Sequence, residues 1–241
     1  MIADKIKFLT GAGMMVIFAV LLVVMFSPVF DGKNALEFSD ELYNSISKDS
    51  AYYIPDVKEN AAEYVGTAVS VAIKMEEGEQ AAPTALLYRN SGAEVTVSED
   101  DLEISGDLGQ ILQTCLDDAD SMYHNNGEAI REKYGHDERQ ALYTWWNSME
   151  LIKDALDDEG KFEESKIVGE AMEKAIEPAY NYYGINPDKI TDRIGIVLFS
   201  LFFYVLYTIW YGFGLMFIFE GWGLNISHMF PFSFVARINA G

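Results

Sequence analysis

Residues 186–219 of this 241-residue chain read NPDKITDRIGIVLFSLFFYVLYTIWYGFGLMFIF, and this stretch decides the fold. Asn186 is a favourable N-cap residue, Pro187 suits the first helical position, and Asp188 places negative charge at the positive end of the helix dipole. No charged residue occurs between Ile194 and Phe219, and a run of about 20 apolar residues is enough to cross a hydrocarbon core about 30 Å thick. The stretch therefore predicts one long helix that begins in water near residue 187 and crosses a membrane.

The predicted span contains aromatic and small residues that are candidates for contacts within the membrane. Aromatic side chains of membrane helices are usually enriched at the two headgroup levels, whereas those of this span lie in its middle and second half, so some are expected to face protein. Glycine allows another backbone to approach closely. Two glycines spaced two apart do not form the GxxxG pattern, and they are equally compatible with an ordinary membrane helix. The candidates are Tyr204, Tyr207, Trp210, Tyr211, Gly212 and Gly214.

A second apolar stretch lies near the N-terminus. Residues 8–26 are uncharged and follow Lys5 and Lys7. We expect an uncleaved anchor rather than a signal peptide, because bulky Val29 and Phe30 follow where a cleavage site needs small residues. The two lysines before the span favour a cytoplasmic N-terminus, which places the region between the spans outside the cytoplasm and returns the C-terminus to it.

Four segments follow from these two spans. Residues 1–30 form the cytoplasmic end and the first transmembrane helix, and residues 31–186 form an acidic extracytoplasmic domain. Residues 187–219 form the long helix that continues into the second transmembrane helix. Residues 220–241 are an apolar, aromatic tail that is too short to span and is expected to lie at the membrane interface. The predicted fold class is mainly α, with two transmembrane helices flanking an extracytoplasmic helical domain that contains a small β-hairpin.

Charge is concentrated between the two spans. Residues 31–193 contain 36 of the 38 acidic side chains but only 14 of the 17 basic ones. Such a surface excludes nucleic acid as a partner. It either serves solubility alone or attracts a basic soluble protein or a cation.

Hydrophobic spacing predicts the elements of the central domain. The steps of three and four from Val57 to Met75 favour a helix that begins near Pro55. Residues 86–89, a turn at residues 90–92, and the alternation around Val97 predict a β-hairpin, extended by residues 102–104. Further helices are predicted with Asp107 as the cap of one, over residues 137–156, and around residues 168–183, where Pro178 should kink or restart the chain.

Candidate chemistry in the central domain is sparse. Cys115 falls on the apolar face of its predicted helix, which is typical of a core thiol. Asp120 and His124 lie one turn apart, but two ligands do not make a metal site. Trp145 and Trp146 are expected in or beside the core and are the candidate partner or ligand contacts. The sequence predicts no cofactor or metal.

Three function classes are considered: an enzyme, a subunit of a membrane complex and a ligand-binding sensor. The absence of recognised catalytic motifs predicts a protein that is not an enzyme. The mid-span aromatic residues favour a non-enzymatic accessory or structural subunit of a membrane complex, with other membrane subunits and the lipid bilayer as partners. The alternative is an extracytoplasmic ligand-binding sensor, because the layout resembles the sensing half of bacterial chemoreceptors and sensor kinases. That resemblance covers the layout alone, and a sensor of this kind requires a separate transmitter protein. The expected location is a bacterial inner membrane.

Overall fold

The computed structural model describes residues 2–75, 81–98 and 101–224. The described chain is mainly helical with one three-stranded sheet, and it divides into two compact units. We call Met1–Leu42 with Lys189–Gly241 the hairpin unit and Tyr43–Asp188 the central unit. The helices are α1 (Lys5–Met25), α2 (Ala35–Ser50), α3 (Ile54–Ala62), α4 (Ala81–Asn90), α5 (Leu108–Tyr123), α6 (Gly127–Tyr134), α7 (Glu138–Asp158), α8 (Phe162–Ala171), α9 (Glu177–Tyr182) and α10 (Ile190–Gly221); the strands are β1 (Ala68–Lys74), β2 (Glu94–Ser98) and β3 (Asp101–Asp107).

Two helices of the hairpin unit, α1 and α10, are long and apolar enough to cross a membrane. They contain 21 and 32 residues, or about 31 and 48 Å at 1.5 Å per residue. Only 6% of the most apolar window of α1 is buried, and none of that of α10. A core helix of a water-soluble protein would be covered on at least one face, so this exposed apolar surface is compatible with a two-pass membrane protein.

The start of α10 differs from the prediction. The helix begins at Ile190, with Lys189 in extended conformation before it, and no side chain caps it. Asn186 is therefore not its N-cap, and Pro187 lies before the helix. The favourable residue types at 186–188 were misleading because these residues lie outside the helix. The predicted tail falls largely on residues outside the described ranges, and its first two residues, Glu220 and Gly221, belong to α10.

The core of the central unit is assembled from helices around one face of the sheet. The strand order is β1-β3-β2, with both pairs antiparallel. Val69, Val71 and Ile73 of β1 are buried in the same cluster as Met149 and Ile152 of α7. The opposite face of β1 is exposed, so the sheet has one covered face and one polar face.

The predicted helix over residues 57–75 was wrong in its second half. The helix α3 ends at Ala62, Gly66 adopts φ +92°, and the chain continues as β1. Residues 68–75 fit the three- and four-residue steps of a helix, but they also contain Val69, Val71 and Ile73 at a period of two. Buried β-branched residues at a period of two favour a strand, and a glycine at positive φ ends the preceding helical turn.

The predicted hairpin was wrong in its first strand and right in its extension. Residues 86–89 belong to α4, whereas β2 contains Val95 and Val97 and pairs with β3, which contains Leu102 and Ile104. Leu87 and Tyr88 are both buried on the inner side of α4. Three apolar residues in a row, Leu86 to Tyr88, cannot distinguish a short buried helix from a strand.

Other predicted elements are confirmed. The Asp107 carboxylate accepts a hydrogen bond from the backbone N–H of Gln110 (3.0 Å), which caps α5, and Cys115 is fully buried. Asp137 caps α7 through the N–H groups of Arg139 and Gln140. After α8 the chain forms one π-helical turn, Met172–Ile176, and α9 restarts with Pro178 in its first turn, where a missing N–H costs nothing.

Candidate membrane interface and the exit segment

The helices α1 and α10 pack backbone against backbone at Gly11. A Cβ atom at this position would lie 2.7 Å from the carbonyl oxygen of Gly214 and 2.7 Å from the nitrogen of Ile218. No side chain larger than hydrogen fits at such a contact, and small residues at the crossing are the usual means by which membrane helices associate. Gly11 was not among the predicted contacts, although Gly214 was.

A second close contact and several polar groups join the start of α1 to the end of α10. A Cβ atom at Gly221 would lie 2.5 Å from the nitrogen of Phe8. The Gly221 carbonyl oxygen accepts hydrogen bonds from the N–H groups of Ala3 (2.9 Å) and Asp4 (3.0 Å). Lys7 Nζ lies 2.7 Å from the carboxylate of Glu220. The start of α1 and the end of α10 therefore meet, so the two helices are antiparallel.

Three of the predicted aromatic contacts lie against α1. Phe18 stacks on Tyr207 (ring centroids 4.5 Å apart) and also contacts Tyr211 (4.9 Å). Trp210 Nε1 donates a hydrogen bond to the carbonyl oxygen of Met14 (3.0 Å). These side chains therefore face protein within the hairpin unit.

The remaining candidates divide between the two sides of α10. A Cβ atom at Gly214 would be 3.4 Å from Met14 Cβ, so this glycine lies at the α1 contact. A Cβ atom at Gly212 would have no neighbour within 4 Å, and Tyr204 is 67% exposed. Gly212 and Tyr204 therefore lie on the part of α10 that α1 does not cover.

In the central unit, Trp145 is a core residue that satisfies a buried carboxylate. Its Nε1 donates to Asp118 Oδ2 (2.9 Å), and Lys133 Nζ lies 2.7 Å from Asp118 Oδ1. Tyr134 also donates its hydroxyl hydrogen bond to Asp118. Asp118 is 2% exposed, and a buried carboxylate is tolerated when several donors satisfy it. Trp145 itself is fully buried, whereas Trp146 is only partly buried beside the core.

The other candidate chemical groups are engaged or inaccessible. Asp120 contacts Tyr52, Lys58 and His124, and the hydrogen bonds from Lys58 and Tyr52 lower the pKa of its carboxyl against the opposing effect of burial. Burial raises the pKa of Cys115 well above its usual value, which disfavours the reactive thiolate. Across residues 2–75, 81–98 and 101–224, no group of three or more potential metal ligands lies together.

Sequence reasoning missed the groups that hold residues 180–188, which we call the exit segment because α10 follows it along the chain. Lys48 is 1% exposed, and its Nζ donates to the carbonyl oxygens of Tyr182 (3.1 Å) and Ile185 (2.7 Å) and to the side-chain oxygen of Asn125 (3.1 Å). No carboxylate lies within ion-pair distance of Lys48 in the described ranges. Burial lowers the pKa of Lys48.

Asn125 connects α5 to the same segment. This residue has φ +61°, a conformation that asparagine tolerates better than most residues. Its side-chain oxygen accepts a hydrogen bond from the N–H of Gly184 (2.7 Å), and its Nδ2 donates to the carbonyl oxygen of Ile185 (3.0 Å). The Asn-Asn-Gly sequence at 125–127 reads as a simple turn, so its contact with residues about 60 positions later was not predictable.

A third contact comes from the start of α7. Glu138, 6% exposed, accepts hydrogen bonds from Arg131 Nε (3.0 Å) and from the Tyr183 hydroxyl (2.9 Å). Bonds from its own backbone N–H, from Arg131 and from Tyr183 lower the pKa of Glu138 to about 2. The guanidinium of Arg139 lies 5.1 Å from the Tyr183 ring centroid. A Cβ atom at Gly127 would be 2.2 Å from the Tyr183 hydroxyl oxygen, so this position must remain glycine for the contact to form.

No known protein family matches this chain, and no characterised protein or solved structure is detectably similar to it. Its function must therefore be argued from its own geometry.

An engineered disulfide tests the packing of α1 on α10. Cysteines at Met14 and Gly214 should bond within one chain, because the two Cβ atoms would be 3.4 Å apart, close to the 3.5–4.5 Å of natural disulfides. The matched control pairs Met14 with Gly212, whose Cβ would have no neighbour within 4 Å. Mobility on non-reducing gels measures both. Equal cross-linking of the two pairs would contradict the packing described.

Asn125→Gly tests the hold on the exit segment. The substitution keeps the positive φ but removes the bonds to Gly184 and Ile185. Each is expected to contribute about 1 kcal/mol, so amide hydrogen exchange at Gly184 should become at least about ten-fold faster. The control is Asn126→Gly, since Asn126 makes no side-chain capping bond. An unchanged Gly184 amide in Asn125→Gly would show that this side chain does not hold the segment.

Proposed function

We propose that this chain is a non-enzymatic two-pass membrane protein, an accessory or structural subunit of a membrane complex. In this proposal α1 and α10 cross a bacterial inner membrane, both termini are cytoplasmic, and the acidic central unit lies outside the cytoplasm and docks a partner. The observation that carries the proposal is the antiparallel α1–α10 pair, which is packed at Gly11 and Gly221 yet leaves almost none of its apolar residues fully buried.

The packing supports retention of α1 as an anchor. Cleaved signal peptides are removed from the mature protein, whereas α1 contributes Gly11, Phe18 and Lys7 to specific contacts with α10. An antiparallel pair also places both ends of the hairpin on one side of a bilayer, as a two-pass topology requires.

The exposed side of α10 supports contact with other membrane subunits. Gly212 and Tyr204 point away from α1, and an uncovered glycine gives another helix backbone room to approach. The alternative, a ligand-binding sensor, has less support: Trp145, one of its two candidate ligand contacts, is enclosed in the core with its N–H already satisfied by Asp118.

Extraction from the native membrane in a mild detergent tests the subunit proposal. We expect the protein to migrate in a particle larger than its own 27.1 kDa in detergent, together with other membrane subunits in fixed stoichiometry. Particle sizing and mass spectrometry of the co-migrating chains measure this. Gly212→Leu should weaken the association, and Gly13→Leu is the control, since a Cβ at Gly13 would also be free of neighbours but lies on α1. A lone monomer or homodimer would contradict the proposal and favour the sensor.

A further inference from the structure

In the part of the chain that the structure describes, no strand pairs with the outer edge of β1. The N–H of Leu108 donates to the carbonyl oxygen of Thr67 (2.9 Å), so Thr67 faces β3. Backbone groups alternate in direction along an antiparallel strand, so Val69, Val71 and Ile73 also face β3. Ser70 and Ala72 therefore direct their N–H and C=O groups to the free edge.

The opposite edge of the sheet, formed by β2, agrees with this register but differs from the β1 edge in its protection. Arg89 donates to the carbonyl oxygen of Val95 on β2 (2.9 Å), so Val95 faces away from β3 and its pair partner Ile104 faces β1. The β2 edge is thus partly occupied by a charged side chain, which is a usual protection of an edge strand. No such group bonds to the edge of β1 in the described ranges.

The side chains of β1 also leave its edge accessible. Ala68, Ser70 and Ala72 are small and exposed, and a charge occurs only at Lys74, the end of the seven-residue strand. A shallow depression on the exposed face of the sheet runs from Ser70 on β1 past Ser105 to Glu94 on β2, and Lys161 also borders it. A long, uncharged edge of this kind is a template for an added strand.

The negative charge around the β1 edge favours a partner segment with basic side chains. On the outer face of β3, Glu103 lies opposite Ala72, which is too small to cover its carboxylate, whereas Asp107 is engaged as the cap of α5. A lysine or arginine on an added strand is long enough to reach across Ala72 to Glu103. The net charge of −21 disfavours pairing between two copies of this chain.

We propose that β1 docks an extended segment of a partner protein by strand addition, and that this segment alternates basic with apolar residues. The main-chain bonds go to Ser70 and Ala72, and the basic side chains lie over the polar face toward Glu103. This inference rests on the proposed function in that it names the surface by which the central unit docks its partner.

The test uses the full chain in mild detergent and a labelled nine-residue peptide of alternating lysine and valine. The peptide should bind, slow amide exchange at Ser70 and Ala72, and bind less well as salt is raised. A peptide with glutamate in place of lysine should not bind. Fluorescence anisotropy measures affinity.

Edge variants decide whether β1 is the site. Ser70→Pro removes an outward N–H without breaking the ladder to β3 and should weaken peptide binding about ten-fold or more. The control, Val97→Pro, removes an outward N–H from the other edge and should change the affinity less than about two-fold. If Ser70→Pro does not fold, Ala72→Lys is used, because it leaves the backbone intact and places a positive charge before Glu103.

Three outcomes would overturn the inference. The lysine–valine peptide could fail to bind, or it could bind the folded Ser70→Pro or Ala72→Lys variant as tightly as the wild-type chain. The wild-type chain could also form a dimer that either variant dissociates, and a second copy would then be the occupant. The proposed function is separable from this result. Membrane subunits that still co-migrate with Ser70→Pro leave the subunit proposal standing, whereas a lone wild-type chain removes that proposal whatever the peptide does.

Discussion

The close approach of two helix backbones at Gly11 is the contact on which the hairpin unit depends. A side chain at this position would collide with the backbone of α10 at Gly214 and Ile218. Gly221 makes a similar close contact where the start of α1 meets the end of α10 and Lys7 pairs with Glu220. The pairing buries little of either helix, so apolar surface remains on both. A bilayer supplies the cover that water does not, which is why the packing and the proposed membrane location support each other.

The central unit is organised by buried polar groups that are satisfied locally. Asp118 is bound by a tryptophan, a tyrosine and a lysine, and Lys48 by neutral carbonyl groups. Such groups are costly to bury unpaired and stabilise one arrangement when paired. Their partners come from elements distant in the sequence, so they determine how the helices meet and where the exit segment lies within the unit. They also engage side chains that sequence alone offers for chemistry, such as Trp145, and the docking that we propose at β1 uses backbone groups instead.

The sequence predicted those parts of the fold that one strong local pattern determines. The charge-free runs identified α1 and α10, and Asp107 and Asp137 marked the starts of α5 and α7. Prediction failed at residues 68–75, where three- and four-residue steps coincided with a period of two. It also failed at residues 86–89, where three apolar residues followed by Arg89 fit a helix or a strand. Of the membrane contacts, Tyr207, Trp210, Tyr211 and Gly214 lie against α1, but no pattern identified Gly11 or Lys48, because their roles arise only from residues more than 70 positions away.

Labelling of single cysteines in intact cells tests the membrane placement most directly. In a chain with Cys115 replaced by alanine, cysteine is introduced at Lys5, before α1, or at Glu128, on the exposed side of α6. A membrane-impermeant maleimide should label the Glu128→Cys chain in intact cells and the Lys5→Cys chain only after permeabilisation. Labelling of both positions from the same side, or loss of the Lys5 position from the mature chain by cleavage, would contradict a retained two-pass hairpin with the central unit outside the cytoplasm.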